Sequence, residues 1–352
     1  MQSSPIKKIR LLNEMEEMKL RKKIFLFIVS ILLLALVACD NNGDEAKSDN
    51  TKENGNITTP DSIGFGAASV GGFWYTLAGA MGDQMKEIFS DSTVSIVEGG
   101  SIANLMGLGN GTFDVAFTNS EAISEANNGE GEFDEPIDNF STIATLYPNP
   151  LQIVVRADSD IYSIKDLKGK KVSPGIKGYS GEIAFQKILG LVGMSYDDLK
   201  GIEYIGTEDA SELMRDNHLD AWVGVLDTPA ATWQELDTTV GIRLISLEQE
   251  TIDGLNEDNP GYIPHTIEEG TYPNQDEDVE TVAPYTVLLV NDDTMSEEDV
   301  YNLTKLVVEK KEVWQNLSAT FNDFNAEYSV ENNVGDMHPG AVRYYEEIGA
   351  ME

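Results

Sequence analysis

The sequence predicts an α/β fold of two lobes that are joined by crossing strands and separated by a cleft. Its 352 residues are enough for two lobes rather than one. From residue 61 onward, short apolar runs alternate with helical stretches, which is the pattern of stacked α/β layers. Two strongly apolar runs, 151–155 and 286–290, are predicted to be the strands by which the chain crosses between the lobes.

Residues 1–38 are predicted to be a signal peptide. The basic stretch 18–23 precedes an apolar run at 24–37, which is shorter than the roughly 20 residues of a membrane-spanning helix and suits a signal-peptide core. The mixed charges of residues 1–17 do not fit such a peptide, so we expect Met18 to be the natural start. A short uncleaved anchor is the alternative.

Cys39 is the only cysteine in the chain, which excludes an intramolecular disulfide. It follows Leu36-Val37-Ala38, a pattern typical of a bacterial lipobox, in which the thiol takes up a diacylglyceryl group. Residues 39–60 are too polar to bury a core, and we expect them to form a disordered tether. These features predict an extracytoplasmic protein that is anchored by lipid to the cell membrane, at the surface of a Gram-positive cell.

Three strand–helix pairs are predicted directly after the tether. The strands are expected at 63–66, 93–97 and 114–117. The helix after the first strand repeats apolar residues with helical spacing, at positions 73, 77, 81, 85 and 88. Ser101 is expected to cap the second helix, and Ser120 opens the third.

A similar alternation follows the first crossing strand. The predicted elements are a strand near 172, a helix at 182–191, a strand at 203–205, a helix at 211–217 and a strand at 220–223. Helices are also expected after the second crossing, at 297–317 and 341–348. We therefore assign 61–150 and 291–352 to lobe one, and 151–290, including the return crossing strand, to lobe two. Ligands in such layers sit beyond the strand ends, against helix N-termini.

The composition limits the partners that are expected. With 61 Asp and Glu against 24 Lys and Arg, the formal net charge is -37, which argues against nucleic acid and anionic surfaces as partners. The acidic stretches near 268 and 276 lack the calcium-loop pattern with its glycine. The three histidines are widely spaced and there is one cysteine, so neither a metal nor another cofactor is predicted.

Several motifs, taken in order along the chain, resemble one family of binding proteins. They are Gly64-Phe65-Gly66, Gly71-Gly72-Phe73-Trp74-Tyr75, Gly99-Gly100-Ser101-Ile102-Ala103-Asn104-Leu105, Val154-Val155-Arg156-Ala157-Asp158, Asp166-Leu167-Lys168-Gly169-Lys170, Asp220-Ala221 and His338-Pro339-Gly340-Ala341. The ordered set resembles the TAXI solute receptors of TRAP transporters. The resemblance implies a type II periplasmic-binding-protein fold and a receptor that delivers glutamate, glutamine or another small carboxylate to the membrane subunits of an ion-driven TRAP transporter.

The resemblance also implies which residues hold the ligand. The corresponding positions are Ser69 and Tyr75 in the first turn and helix, Ser101 and Asn104 at the second helix, Asn119 and Ser120 at the third, and Ser180 in lobe two. This sequence departs from the family pattern at Glu182, where threonine is expected, and at the bulky Tyr179. These departures lie in the lobe-two half of the pocket, so the resemblance does not define the ligand there.

The chemistry of these residues allows two interpretations for most of them. Helix N-termini and serine hydroxyls form a natural seat for a carboxylate, although each serine is equally suited to plain N-capping. Arg156 is predicted to clamp a carboxylate, and a structural salt bridge is its alternative. Tyr75 and Trp74 either close over the ligand or pack in the core, Trp222 is expected to face the core, and His338 is expected to hold the turn before Ala341.

Two other functions are compatible with the same sequence. The fold could sense a solute for a membrane kinase without transporting it, or the chain could be an anchored hydrolase that acts on a small acid. A hydrolase would need an activated nucleophile or a metal, and the sequence has neither a Gly-x-Ser-x-Gly elbow nor a suitable histidine pair. We therefore predict that the protein is not an enzyme.

Overall fold

The computed structural model describes residues 58–352. The predicted signal peptide, Cys39 and nearly all of the predicted tether lie outside the described residues. Within 58–352 the chain forms two five-stranded sheets and one two-stranded sheet. No helix in this range is long and apolar enough to cross a membrane.

Strands and helices alternate along most of the described chain. In chain order, the strands are β1 (Ser62–Gly66), β2 (Thr93–Val97), β3 (Val115–Asn119), β4 (Phe140–Pro148), β5 (Leu151–Arg156), β6 (Lys171–Ser173), β7 (Gly201–Ile202), β8 (Ala221–Val225), β9 (Ile242–Leu244), β10 (Ile263–Ile267), β11 (Val279–Ala283) and β12 (Tyr285–Asn291). In chain order, the helices are α1 (Phe73–Met85), α2 (Ser101–Gly109), α3 (Ser120–Asn128), α4 (Ser180–Leu191), α5 (Thr207–Arg215), α6 (Ala231–Thr239), α7 (Gln249–Asp258), α8 (Glu297–Glu309), α9 (Lys311–Leu317), α10 (Ala326–Glu331) and α11 (Pro339–Glu347).

The two large sheets have equivalent strand orders, β2-β1-β3-β12-β4 and β7-β6-β8-β5-β9. In each sheet a parallel trio is extended by an antiparallel strand that arrives from the other lobe. This strand is β12 beside β3 in the first sheet and β5 beside β8 in the second. The arrangement confirms the predicted fold class of two α/β lobes joined by crossing strands.

The chain crosses between the sheets at two adjacent points. β4 continues through Asn149 and Pro150 into β5, and β11 continues through Pro284 into β12. The backbone N–H of Asn149 donates to the carbonyl oxygen of Pro284 at 2.7 Å, which ties the two crossings together. Because β12 pairs with β3 and β4, it belongs to the first sheet. The predicted boundary, which puts residues up to 290 in lobe two, therefore differs from the sheet pairing. Hydrophobicity marks a buried strand but does not identify its neighbours.

The sequence patterns assigned no element between 224 and 285. The structure has α6, β9, α7, β10 and β11 in this segment. The strand predicted at 203–205 lies just beyond the two-residue strand β7. The helix expected at 211–217 begins earlier, at Thr207. Its first turn consists of the polar residues Thr207, Glu208 and Asp209, and the apolar repeat used for the prediction could not detect it.

Aromatic and aliphatic side chains fill the core between the first sheet and its helices. Leu77, Met81 and Met85 are buried with the predicted helical spacing on α1, and Trp74 joins them. The Trp74 ring lies 5.7 Å from that of Phe117, between their centroids. Burying each such side chain contributes about 1.5–3 kcal/mol, which fixes α1, and with it the turn before α1, against the sheet.

The His338-Pro339-Gly340-Ala341 motif builds the start of α11. Nδ1 of His338 accepts a hydrogen bond from the Gly340 backbone N–H at 3.1 Å, so the imidazole caps the helix as predicted. Pro339 occupies the first turn, where its missing N–H costs nothing. A side chain at Gly340 would collide with the backbone of α8, and Ala341 is fully buried. The motif is therefore a packing device in lobe one.

Candidate functional site

A cavity of about 90 Å³ lies between the two lobes. Its walls are formed by chain that leaves the carboxyl ends of strands, as is usual for ligand sites in open α/β sheets. Ser69 follows β1 and Asn119 ends β3 on the side of lobe one. Pro174 follows β6, and Asp227 follows β8, on the side of lobe two.

Four helices begin at this cavity. Their N-cap residues are Gly72 of α1, Gly100 of α2, Tyr179 of α4 and Gly206 of α5, and all four line the cavity. None of the four receives a side-chain cap, a feature that they share with α3, α6, α7 and α9 and that distinguishes them from α8, α10 and α11. The first turns of α1 and α2 hold no acidic residue, so they present backbone N–H groups and positive dipole ends that attract an anion. In α4 and α5 the first turns carry Glu182 and the pair Glu208 and Asp209, whose negative charges offset the dipole.

A hydrogen-bond network of short polar side chains crosses from one lobe to the other beside the cavity. The Asn119 side-chain amide donates to Ser180 Oγ at 3.1 Å, and Ser180 Oγ donates to Ser101 Oγ at 3.0 Å. Ser101 Oγ also accepts from the backbone N–H of Asn119 at 3.1 Å. All three residues are buried, so the network fixes the positions of both serine hydroxyls on the cavity wall.

One acidic residue, Asp227, lines the same cavity. It is 8% exposed, and burial raises the pKa of its carboxyl to about 7. The buried phenols of Tyr147 and Tyr272 have pKa values well above the ordinary value, first because of burial and also because of the negative charge of Asp227. No Lys, Arg or His belongs to the cavity wall in the described part of the chain.

The structure brings together four of the eight residues that were predicted to bind the ligand. Ser69, Ser101, Asn119 and Ser180 line the cavity. Tyr75, by contrast, is half-buried against the core of lobe one and does not line the cavity, because it lies on a different side of α1 from Trp74.

Asn104 and Ser120 support the site without lining it. The Asn104 amide donates to the carbonyl oxygens of Ala67 at 2.8 Å and Phe117 at 2.7 Å, which holds the turn after β1 against β3. Ser120 Oγ accepts from the backbone N–H of Tyr285 at 2.9 Å. It also donates to the carbonyl oxygen of Gly261 in lobe two at 3.4 Å. Ser120 therefore links the two lobes by a hydrogen bond.

Arg156, which was predicted to clamp the ligand, does not line the cavity. Arg156 ends β5, whereas the cavity is at the other end of that strand, where Leu151 pairs with Val225. At about 3.3 Å per residue, the two ends are roughly 16 Å apart. The Arg156 side chain forms an ion pair with Asp158 at 3.1 Å, which is the structural alternative considered for it.

Asn149, Thr207 and Asp227 line the cavity but were not predicted. Asp227 lies two residues beyond β8, so a search past the carboxyl end of the strand predicted at 220–223 would have found it. Asn149 follows β4, a strand that the sequence patterns did not predict. Trp222 is buried against Trp233, with ring centroids 5.2 Å apart, as predicted for a core residue, and it also contributes to the cavity wall. Glu182, at the departure from the family pattern, is buried on α4 and accepts from the Gly178 backbone N–H at 3.2 Å.

The lobes also meet at a buried carboxyl outside the cavity, that of Glu121 on α3. Glu121 is 4% exposed, and its Oε2 has no close hydrogen-bond partner among the described residues. The hydroxyl of the cavity residue Ser180 is near enough to lower the pKa of this carboxyl, although burial has the larger effect. Burial raises its pKa to about 7. Next to it, the Asn259 amide of lobe two donates to the Glu121 carbonyl oxygen at 3.0 Å, and Lys187 pairs with Glu125 at 3.4 Å.

Residues 65–349 match the NMT1-like family. Among solved structures, the chain is similar to the alkanesulfonate-binding protein SsuA from Xanthomonas axonopodis pv. citri bound to MOPS, with 15% identity, a TM-score of 0.42 and coverage of 84% of this chain and 81% of that chain. It is also similar to a putative L-cystine ABC transporter structure from Listeria monocytogenes, with 16% identity, a TM-score of 0.47 and coverage of 75% and 96%.

Proposed function

The chain belongs to the NMT1-like family, and we propose that it is an extracytoplasmic solute receptor that binds a small carboxylate and delivers it to a transporter in the membrane. The observation that carries the proposal is the cavity between the lobes, on which four helix N-termini without side-chain caps converge. A receptor needs a site that opens and closes by movement of two lobes, and the two crossings are suited to act as the hinge.

The volume of the cavity suits a small solute. A single water molecule needs about 10–15 Å³ of cavity volume, so a cavity of 90 Å³ has room for roughly six to nine water-sized groups. This is the size of a small organic acid or an amino acid. Larger ligands would require the lobes to be further apart.

A carboxylate on the ligand would be held by dipoles and hydroxyls. No cationic side chain lines the cavity in residues 58–352, and the chain as a whole is strongly acidic. The backbone N–H groups at the starts of α2 and α4, with the hydroxyl of Ser101, are the donors that can offset this repulsion locally. The Ser180 hydroxyl already donates its hydrogen to Ser101. Ser69 and Thr207 add hydroxyls at the starts of α1 and α5.

The membrane-side part of the proposal rests on the sequence. The lipobox before Cys39 supports a lipid anchor, and the ordered motifs that resemble the TAXI receptors support a TRAP transporter as the partner. Deleting the membrane subunits of that transporter should abolish uptake of the ligand by cells. If uptake continues, a different transporter is the partner, and if the ligand is never taken up but still triggers a kinase response, the protein is a sensor.

The binding part of the proposal is tested by a thermal-shift screen of the purified protein against glutamate, glutamine, aspartate, 2-oxoglutarate, succinate, fumarate and malate. A ligand at a hundredfold excess over its Kd stabilises the folded state by about 2.7 kcal/mol, which raises Tm by several degrees. A shift with at least one acid supports the receptor. No shift with any of them contradicts the assignment of a small carboxylate.

A further inference from the structure

A buried carboxyl lies behind the serine network of the cavity. Glu121, at the start of α3, does not line the cavity, and its Oε2 has no close hydrogen-bond partner within residues 58–352. Ser180 does line the cavity, and its hydroxyl is near enough to this carboxyl to lower the carboxyl pKa. Glu121 is therefore placed to act on the cavity through Ser180.

Both lobes hold Glu121 in this position. A Cβ at Gly261 would lie 2.5 Å from the Cα of Glu121, so the chain after α7 closely covers the start of α3. The Asn259 amide donates to the Glu121 carbonyl oxygen at 3.0 Å, and Ile183 of α4 packs against the apolar cluster that contains Ala122. The carboxyl is thus enclosed between α3 and lobe two, where burial favours its neutral form.

The donors and acceptors of the network leave one place for a further bond to Ser180. Its Oγ accepts from the Asn119 amide at 3.1 Å and donates to Ser101 Oγ at 3.0 Å. A hydroxyl has one hydrogen and two lone pairs, so Ser180 can still accept one bond, and a neutral carboxyl group can donate it. Ser101 already accepts twice, from Ser180 and from the Asn119 backbone N–H. Its own hydrogen is therefore the one left for an acceptor in the cavity.

An ionised carboxyl would reverse this chain of hydroxyls. A carboxylate only accepts, and a bond to a charged acceptor is stronger than a bond to a neutral hydroxyl. The Ser180 hydrogen would turn from Ser101 to Glu121, and the Ser101 hydrogen would turn to the free lone pair of Ser180. The cavity would then lose one donor.

We propose that Glu121 is a positioning residue for the anion site, whose neutral carboxyl group donates to Ser180 and thereby directs the Ser101 hydrogen toward an anionic group of the solute. The inference rests on the proposed function and deepens it. It makes the affinity depend on a residue that does not touch the solute, through a chain of hydrogen bonds that polarise one another.

The charges around Glu121 give the direction of the pH dependence. Burial raises its pKa to about 7, and the negative charge of Glu125 on the same helix adds to this effect, while Lys187 of α4 opposes it. Lys187 is paired with Glu125 at 3.4 Å and with Asp258 of α7 at 2.6 Å, and the phenol of Tyr262, which faces the same carboxyls, has a pKa well above its ordinary value because of burial and their charges. Glu121 is therefore neutral below about pH 7 and ionised above it, so binding of an anion should weaken as the pH rises through 7.

The test compares the full-length protein with its Glu121→Gln variant by titration calorimetry between pH 6 and pH 8.5, using each of the seven acids of the thermal-shift screen. The glutamine amide can donate to Ser180 at every pH. The ratio of the wild-type Kd to the variant Kd should be within about twofold at pH 6 and at least about fivefold at pH 8.5. The titration of Asp227 and of the acids is common to both proteins, so this ratio isolates Glu121.

Two further substitutions make the test specific. Glu130→Gln removes an exposed acidic charge beyond α3, and its Kd ratio to the wild type should not change with pH. Ser180→Ala removes the hydroxyl through which Glu121 acts, so adding Glu121→Gln to Ser180→Ala should change the Kd by the same factor at every pH. The unfolding free energy of Ser180→Ala should still fall from pH 5 to pH 8, which shows that Glu121 still titrates. The Tm of each variant without solute shows that it is folded.

The outcomes distinguish the two proposals. A Kd ratio of wild type to Glu121→Gln that does not change with pH overturns the positioning role and leaves the proposed function intact. A pH-dependent ratio that persists in the Ser180→Ala background also overturns it, because Glu121 would then act by its charge and not through the serines. If none of the seven acids binds at any pH, the small-carboxylate function and the positioning role both fail.

Discussion

At the scale of single residues, the buried carboxyl of Glu121 makes the stability of the protein depend on pH. Burial raises its pKa from 4.5 to about 7 in the folded protein. The folded state therefore keeps a proton that the unfolded chain releases, so this stabilisation is complete below about pH 4.5 and is lost as the pH rises through 7.

Replacing Glu121 with glutamine should remove this pH dependence. A shift of this size corresponds to at most about 3 kcal/mol, so between pH 5 and pH 8 the wild type should lose up to that amount of unfolding free energy relative to Glu121→Gln. Urea denaturation at several pH values measures the difference. Glu130→Gln, at an exposed position beyond α3, should keep the wild-type slope, and parallel slopes for all three proteins would disprove the role of Glu121.

Binding should depend on Ser101 and not on Arg156. Ser101→Ala removes a buried hydroxyl on the cavity wall and should weaken binding of a carboxylate by about 1–2 kcal/mol, whereas Arg156→Ala should leave affinity within twofold. Ser90→Ala, at an exposed position, controls for the loss of a serine hydroxyl. Titration calorimetry checks this, and a large loss of affinity in Arg156→Ala would return that residue to the site.

At the scale of elements, the close approach of α11 to α8 should make Gly340 essential for packing. A Cβ at Gly340 would lie 2.8 Å from the backbone nitrogen of Tyr301 and would also contact the carbonyl oxygen of Glu297. Both are backbone atoms, so one helix would have to move. Gly340→Ala should therefore destabilise the protein by about 1–3 kcal/mol, as measured by chemical denaturation.

A second glycine provides the matched control for this prediction. Gly79 lies within α1, and a Cβ there would meet no atom within 4 Å. Gly79→Ala should therefore be neutral or stabilise the protein by up to about 1 kcal/mol, because alanine favours a helix over glycine. If Gly340→Ala behaves like Gly79→Ala, then α8 and α11 are not packed as closely as the structure shows.

At the scale of the whole molecule, the ligand should favour the closed arrangement of the lobes. The hydrogen bonds of Asn119 with Ser180 and of Asn259 with Glu121 join the lobes across the cleft. A ligand that contacts both walls adds to these interactions only when the lobes are closed. Small-angle scattering should therefore show a smaller radius of gyration at saturating ligand, and an unchanged radius would contradict closure.

A variant at the cleft checks that closure and binding are linked. Gly100 has a φ of 150°, and a Cβ there would lie 2.6 Å from the ring of Tyr179 in the other lobe. Gly100→Ala should therefore hold the lobes apart, weaken binding and reduce the change in scattering. A variant that closes and binds normally would separate the two events.

The sequence by itself determined the class of fold and the location of the main elements. The alternation of apolar runs and helical repeats predicted β1, α1, β5, β12 and most of their neighbours, because these patterns reflect local burial. It also marked four of the serine and asparagine side chains that line the cavity, since these residues stand where strands end and helices begin.

The tertiary structure alone decided which of the candidates meet. Pairing with β3 and β4 placed β12 in the first sheet, and the direction of β5 carried Arg156 away from the cavity. Asn149 reaches the end of β8, at Val225, only through the pairing of β5 with β8 and the adjacent crossings. Contacts between residues far apart in the chain depend on strand order and register, and local patterns of hydrophobicity do not encode either of these directly.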